Sequence, residues 1–348
     1  ASGTLGSGKT VILNSDGTVS LVGESSGAGV VIPYGSEAVF DSTTAIYYSA
    51  VAFDPNAANV FVVAWKGSTS NYGMAAVGTV SGSSISFGTA VVFNSGASND
   101  NSISFDPNTA NKFVIVYVDD SNGAYCTAVV GTRSGTSVSF GSEIVFSSTN
   151  NLFTNVAFDP NTAGKFVATF KNRSNSNYGT AVVGTVSGSS ISFGTAVVFN
   201  AGASNDNSIS FDPNTSSKFV IAYNDGAGKC IIGTRSGTST SFGTAVTFNA
   251  SSSLDVKVDF DPNTAGKLVV SYRNGGNSNY GTAIVGTMSG TSVSFGTASI
   301  FNSATVNFST VAFDPNTANR FVIAYSDGAN ANYATAIVGT VSGTSISY

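Results

Sequence analysis

The chain contains no histidine. That excludes a Ser-His-Asp triad, a Cys-His pair and any histidine-ligated zinc or iron centre. Cysteine is nearly absent. Cys126 and Cys230 are the only two, at non-equivalent places in their repeats, so no disulfide framework is expected and both read as small buried hydrophobes. Charge is scarce as well: 9% of residues are Asp, Glu, Lys or Arg, and the net charge is −5. The 14 basic residues are scattered, which leaves no cluster to hold phosphates and argues against nucleic acid as a partner. No apolar run approaches the ~20 residues of a membrane helix, so no membrane span is expected. No signal peptide is visible, and the first residue is Ala1 rather than Met. That reads as a processed end or as part of a longer polypeptide.

Low charge does not mean disorder here. Hydrophobic residues make up 42% of the chain, with 25 Phe and 13 Tyr, which is ample for a core. Phe-Asp-Pro-Asn occurs six times, at Phe53, Phe105, Phe158, Phe211, Phe260 and Phe313. A fixed period of this size filled with strand-like sequence signals a stacked or circular repeat architecture.

The third repeat shows the unit. Asn155–Phe158 is a short extended segment, and Asp159-Pro-Asn-Thr-Ala-Gly is a turn, with φ fixed by Pro and backbone N–H groups bonded by Asp and Asn. Lys165–Phe170 is a β-branched and aromatic strand, and Tyr178–Val186 is a third. Ser187-Gly-Ser-Ser is a tight turn that needs Gly at positive φ, and Ile191–Phe199 is a fourth strand, bulged at Gly194. Four antiparallel strands per repeat is the module of a β-propeller blade. The fold class expected is therefore all-β: a six-bladed propeller of four-stranded blades over residues 34–348. A sandwich of hairpins is the runner-up. The sixth repeat stops at Tyr348, partway through its fourth strand, and Tyr34–Phe40 resembles the missing piece. The N-terminal strand is expected to complete the last blade and close the ring, removing sheet edges. Gly96–Thr109 and Gly202–Thr215 are identical, as duplication of a two-blade unit would leave them. Residues 1–33 read as a β-hairpin followed by a Gly-rich linker, a connector to something else.

Several motifs are weighed against plainer readings. Gly3–Thr10 matches the phosphate-loop pattern, but nothing precedes it as a strand and a hairpin rather than a helix comes after it. No nucleotide is expected. The six turn aspartates, Asp54, Asp106, Asp159, Asp212, Asp261 and Asp314, read as Asx caps. Ser98–Asn101 and Ser204–Asn207 could offer oxygens to calcium, yet neither is a full calcium loop. No metal and no cofactor is expected. Lys257 and Asp259 stand on an inner strand lining the channel and read as a local salt bridge rather than a catalyst. Lys112, Lys165, Lys218, Lys267 and Arg320 recur at one repeat position, next to the turn.

The two ends of each blade differ. The turns after strands 1 and 3 are nearly invariant, whereas the strand 2–3 loops vary: 66–71, 118–124, 171–177, 224–228, 273–279 and 326–332. One face is a repeated scaffold and the other is varied, the usual arrangement for loops that bind. Four of these loops end in Asn-Tyr, at Asn71-Tyr72, Asn177-Tyr178, Asn279-Tyr280 and Asn332-Tyr333, and another ends in Tyr125. An aromatic face with an amide suits sugar binding. The same tyrosines could instead start strand 3 and pack between blades.

The repeat FDPNTANKFVIAY…GTAIVGTVSGTSISFGTAVVF resembles β-strand repeats of structural or fibre-like virion proteins of phages, marine ones above all. The leader SGTLGSGKTVILNSDGTVSLVG resembles short linking modules in such proteins. The resemblance is one of repeat style over most of the chain and carries no catalytic motif. It implies a virion appendage, such as a tail fibre, at a virion or extracellular surface, joined to other virion or surface proteins through residues 1–33. The function expected is structural or adhesive and non-catalytic, with host glycans as candidate ligands of the varied face. The alternatives are a secreted carbohydrate-active enzyme on a propeller scaffold, or a bacterial surface or extracellular scaffold protein.

Overall fold

Runs such as Lys112–Asp119 and Lys165–Asn172 are apolar nearly throughout rather than alternating. A strand reads that way when both faces of its sheet are covered. The computed structural model describes residues 37–42 and 45–348, with two short strands at Val11–Leu13 and Val19–Leu21. In it each repeat is one antiparallel module, and the second and third strands of the second to fifth modules are sandwiched between neighbours.

The third module is representative. Its inner strand is Asn151–Phe158, its second Lys165–Asn172 and its third Tyr178–Ser187. The outer strand comes in two pieces, Ser190–Phe193 and Val197–Ala203, both paired to the third strand. The interruption falls at Gly194, where an added Cβ would lie 1.8 Å from the Thr238 carbonyl oxygen of the next module. Only glycine permits that approach. The turn after the third strand has Gly188 at φ 63°, with equivalents in all six modules.

Cores form between modules, not within them. Val62, Ala64, Ala75 and Val77 of the first module pack on Phe113, Ile115, Tyr117 and Val129 of the second. The pattern repeats along the chain to the sixth module. Cys126 and Cys230 are free and buried in these layers.

The repeated turn is also a latch. In each module the Asp Oδ1 accepts the backbone N–H of the Asn two residues on, at 2.8–2.9 Å. The other oxygen reaches the following module. Asp106 Oδ2 accepts from Gly164 N at 2.8 Å, Asp212 from Gly266 N at 3.1 Å, and Asp261 from Asn319 N at 2.8 Å. Asp54 and Asp159 instead receive Arg133 and Arg235. The turn asparagines donate to carbonyls of the next turn. The recurring lysines Lys112, Lys165, Lys218 and Lys267 each donate to a threonine on the third strand, at 2.7–2.9 Å.

The expected closing segment falls partly outside the described residues, which omit Tyr34–Ser36. Glu37–Phe40 form no strand. The Phe40 ring packs on Trp65 and Phe87 of the first module at 4.9 and 5.4 Å. One repeat later Phe93 takes the same place on Tyr117 and Phe140. Among the described residues no strand pairing joins the sixth module to the first. The forward face of the sixth module is open: Val338 is 50% exposed, whereas its equivalents Val77 and Val183 are fully buried. Val11–Leu13 and Val19–Leu21 pair as the expected hairpin. The phosphate-loop match at Gly3–Thr10 lies outside the described residues, and the segment directly after it, Val11–Leu13, is a strand.

Candidate functional site

The inner strands stand side by side, with cavities opening among them at both ends. Each carries a register break where one residue takes a left-handed backbone: Tyr48, Asp100, Phe153, Asp206, Asp255 and Phe308, with φ between 48° and 55°. Each lies five residues before its repeat Phe. Left-handed backbone is unfavourable for such side chains and would select Gly or Asn if it alone set the residue. Here the backbone is uniform and the side chains are not: three aromatics and three carboxylates share one ring of positions.

This ring lies at the varied face, because the inner strands begin there beside the ends of the second strands, as Asn151 does beside Asn172. Its second to sixth positions border a cavity of about 280 Å³ lined by Asp100, Phe153, Asp206, Asp255, Lys257 and Phe308, among others. Phe308 is 82% exposed. Neighbouring side chains tie the ring together. The Thr154 hydroxyl donates to the Asp100 carbonyl, Ser309 donates to the Asp255 carbonyl at 3.2 Å, and Asn101 donates to the Tyr48 carbonyl at 3.1 Å. Lys66 and Lys171 stand over the Tyr48 and Phe153 rings at 5.8 and 5.6 Å. Each of the two also donates to an asparagine of the next module.

The electrostatics are uneven. Burial raises the carboxyl pKa of Asp100, countered by the Phe153 N–H it accepts at 2.8 Å and by Lys257. Burial also raises that of Asp206, and the Asp255 charge adds to it, against Lys257, Arg273 and the Asp255 N–H. Burial lowers the Lys257 pKa, opposed by Asp206, Asp255 and Asp100. Asp255 and Arg273 pair at 3.4 Å, but the Arg273 Nε and Asp255 Oδ2 make no aligned hydrogen bond. Lys257 makes no hydrogen bond or ion pair with any described residue, although it lines the cavity. The expected salt bridge between Lys257 and Asp259 is therefore corrected. Asp259 bridges its two neighbouring inner strands, accepting from Phe313 N of the next at 2.9 Å and from Ser210 Oγ of the preceding one at 3.2 Å. An inner-strand edge presents unpaired N–H groups, and a nearby carboxylate satisfies one.

A larger cavity, about 490 Å³, opens at the other end among the repeat phenylalanines and prolines. Its one ionisable side chain, Asp259, is already committed to those hydrogen bonds. It has the character of a scaffold opening rather than a polar recognition site.

None of the nine loop residues named from sequence lines the channel-mouth cavity. Asn71, Asn177, Asn279 and Asn332 sit at φ 60–64°, where asparagine is tolerated, so they have a turn role. Carbonyls of Asn71, Asn177 and Asn279 accept from the next inner strand. Tyr72 and Tyr333 are exposed, and Tyr125, Tyr178 and Tyr280 are half-buried. All five start third strands. None belongs to an inter-module core, whose tyrosines are Tyr117, Tyr223, Tyr272 and Tyr325 of the second strands. Sequence reasoning set Lys257 at the channel and Asp100 and Asp206 in candidate calcium segments, but it missed Phe153, Asp255, Phe308 and the shared column, because no turn or glycine marks it. The signal that finds them is the alternation of aromatic and Asp at one fixed offset. The candidate calcium segments are inner-strand starts where Ser98 and Ser204 donate to Asn101 and Asn207. Among the described residues no three His, Cys, Asp or Glu side chains converge to hold a metal ion.

No protein-family model and no curated protein matches the chain. Solved structures do match in fold. A mutant NanB sialidase from Streptococcus pneumoniae is 8% identical, with a TM-score of 0.58 over 88% of this chain and 70% of that one. An intramolecular trans-sialidase from Ruminococcus gnavus, solved with oseltamivir carboxylate, is 8% identical, with 0.55 over 83% and 92%. AofleA from Arthrobotrys oligospora is 7% identical, with 0.54 over 87% and 84%. At these identities the likeness is one of fold: the chain is all-β, built of repeated antiparallel sheets in the manner of the sialidase propellers.

Proposed function

We propose that the chain is a non-catalytic, carbohydrate-binding β-propeller whose six blades close into a ring and whose varied face is the working face. The observation that carries this reading is the channel mouth, where Phe153 and Phe308 stand with Asp100, Asp206 and Asp255 around one cavity. Aromatic faces take sugar C–H groups and carboxylates take hydroxyls. The opposite face has its polar groups consumed by latches between modules. The sialidase neighbours agree with a carbohydrate ligand, and the repeat resemblance supports display on a virion appendage or another extracellular surface. Repeated display would add avidity to weak sites. Binding to a glycan array, or to host cells, tests it. Phe153→Ala with Phe308→Ala should abolish binding, and Asn108→Ala with Asn214→Ala on the repeated face should not. Tyr178→Ala with Tyr280→Ala measures what the loop tyrosines add. Absence of any glycan binding by the wild type would reject the reading.

A second reading, a carbohydrate-active enzyme, is favoured by one feature. Burial and the Asp255 charge raise the Asp206 carboxyl pKa while Arg273 pairs with Asp255, and two carboxyls in unlike environments are the ingredients of glycoside hydrolysis. Release of free sugar from a bound glycan, lost in Asp206→Asn, would establish this reading over the first.

A further inference from the structure

Lys257 is the odd residue of its column. The equivalents are Ala50, Ser102, Asn155, Ser208 and Thr310, all small or uncharged. Its ammonium sits deep in the mouth with no partner, while Asp100, Asp206 and Asp255 act on it through space. A donor without an acceptor thus faces, across an open cavity, carboxylates of which Asp100 and Asp206 each accept only one backbone N–H.

Three ligand classes can be compared. A bare cation finds no converging carboxylates and meets the Lys257 charge. An acidic sugar would bring its carboxylate among three others. Only Lys257 is free to receive it, since Arg273 already serves Asp255 and donates to Asn307 at 2.8 Å. A neutral polyol fits both sides, because each hydroxyl accepts one hydrogen bond and donates another. The size agrees: about 280 Å³ is just below the ~300–1,000 Å³ of pockets for drug-sized ligands, and leaves room for one ring rather than a chain. Phe308, exposed on a strained backbone at the rim, offers a face for the sugar's C–H side.

We propose that the channel mouth binds one neutral pyranose residue at a glycan's end, its hydroxyls shared between Lys257 and the carboxylates of Asp100 and Asp206, with Phe308 covering its apolar side. This rests on the carbohydrate-binding reading above and narrows it to one site and one class of sugar.

Calorimetry with the full chain tests it, using methyl α-mannopyranoside, methyl β-galactopyranoside, methyl α-glucopyranoside and N-acetylneuraminic acid as probes, alongside the glycan array. At least one neutral glycoside should bind, and more tightly than N-acetylneuraminic acid. Lys257→Met, Asp206→Asn and Phe308→Ala should each weaken it at least tenfold. Phe308 is exposed, so its truncation leaves the fold intact, and Lys257→Met replaces an unpaired buried charge by an apolar chain of like length. Tighter binding of the acidic sugar would overturn the proposal. So would array binding of wild type that all three variants retain, and in that case the broader carbohydrate reading survives. Array silence for the wild type rejects both.

Discussion

Two aspartates withdrawn from water meet opposite fates. Asp259 lies in the channel wall, and burial pushes its carboxyl up to about 6, against the N–H groups of Phe313 and Phe260 and the Ser210 hydroxyl. The folded chain then holds a proton that the unfolded chain has released. The stability this group contributes is complete below about pH 4 and is lost as pH rises through 6, on the order of 3 kcal/mol in all. Asp259→Asn should flatten that slope between pH 4 and 6 and raise stability at pH 7, as read by denaturant midpoints across pH. Asp159 is fully buried and instead depends on Arg235, at 2.8 Å. Arg235 also reaches Thr162 and Ser217. Arg235→Ala should cost about 3 kcal/mol, because removing one member of a buried pair strands the other charge. Arg320→Ala, at the exposed Asp314 pair, should leave the midpoint unchanged. Equal losses for the two arginines would contradict the latch. Sequence showed half of this. The Asx turn follows from Asp-Pro-Asn alone, but the second carboxylate oxygen bonds a module some fifty residues away, and local turn chemistry carries no trace of that partner.

At the scale of strands, the repeat unit read from Asn155 to Phe199 matches the structure nearly strand for strand, and for a physical reason. Turns demand particular residues, and strands buried on both faces demand unbroken apolar runs, so both leave marks in a single sequence. The break at Gly194 was visible as a bulge, although its cause, the Thr238 carbonyl of the next module, was not. The channel mouth left a fainter mark. Its backbone is set by a register break between inner and second strands, and its side chains line a cavity rather than an inter-module core, so the packing that shapes the core strands does not mark them. The loop tyrosines were conspicuous for the opposite reason: they repeat because they begin a strand. These differences give a ranked prediction. Gly194→Ala should destabilise more than Gly188→Ala. The first forces two main chains apart, an overpacking cost of roughly 1–3 kcal/mol or more. The second has open space around it and meets only the left-handed backbone, about 1 kcal/mol. Denaturation of the two variants under one set of conditions settles the order, and the reverse order would mean that the inter-module contact at Gly194 yields easily.

For the whole molecule, the telling contrast is between five module junctions and a sixth. Phe105, Phe158, Phe211, Phe260 and Phe313 are all buried, but Phe53 is 60% exposed. Val51 of the first module and Val322 and Val338 of the last are likewise uncovered. Asp314 Oδ2 accepts from its own Arg320 and, among the described residues, from no other module. Burying such side chains is worth about 1.5–3 kcal/mol each, so joining the sixth module to the first would bury several at once and supply the missing neighbour. The ring proposed above then makes a prediction that an open array does not. Val338→Lys should unfold or strongly destabilise a closed ring, because the ammonium would enter a core like that around Val77 and Val183, where both are fully buried. In an open array the same lysine would sit in solvent and cost little. Val39→Lys, at an exposed position, is the control. Truncation gives the second arm. Removing residues 1–33 should leave the melting temperature nearly unchanged. Removing residues 1–40 should lower it clearly, since it takes the Phe40 ring from Trp65 and Phe87 as well as the segment that resembles the last outer strand. A harmless Val338→Lys together with equal melting of the two truncations would leave an open row of modules, with the channel mouth shaped by the second to sixth modules alone.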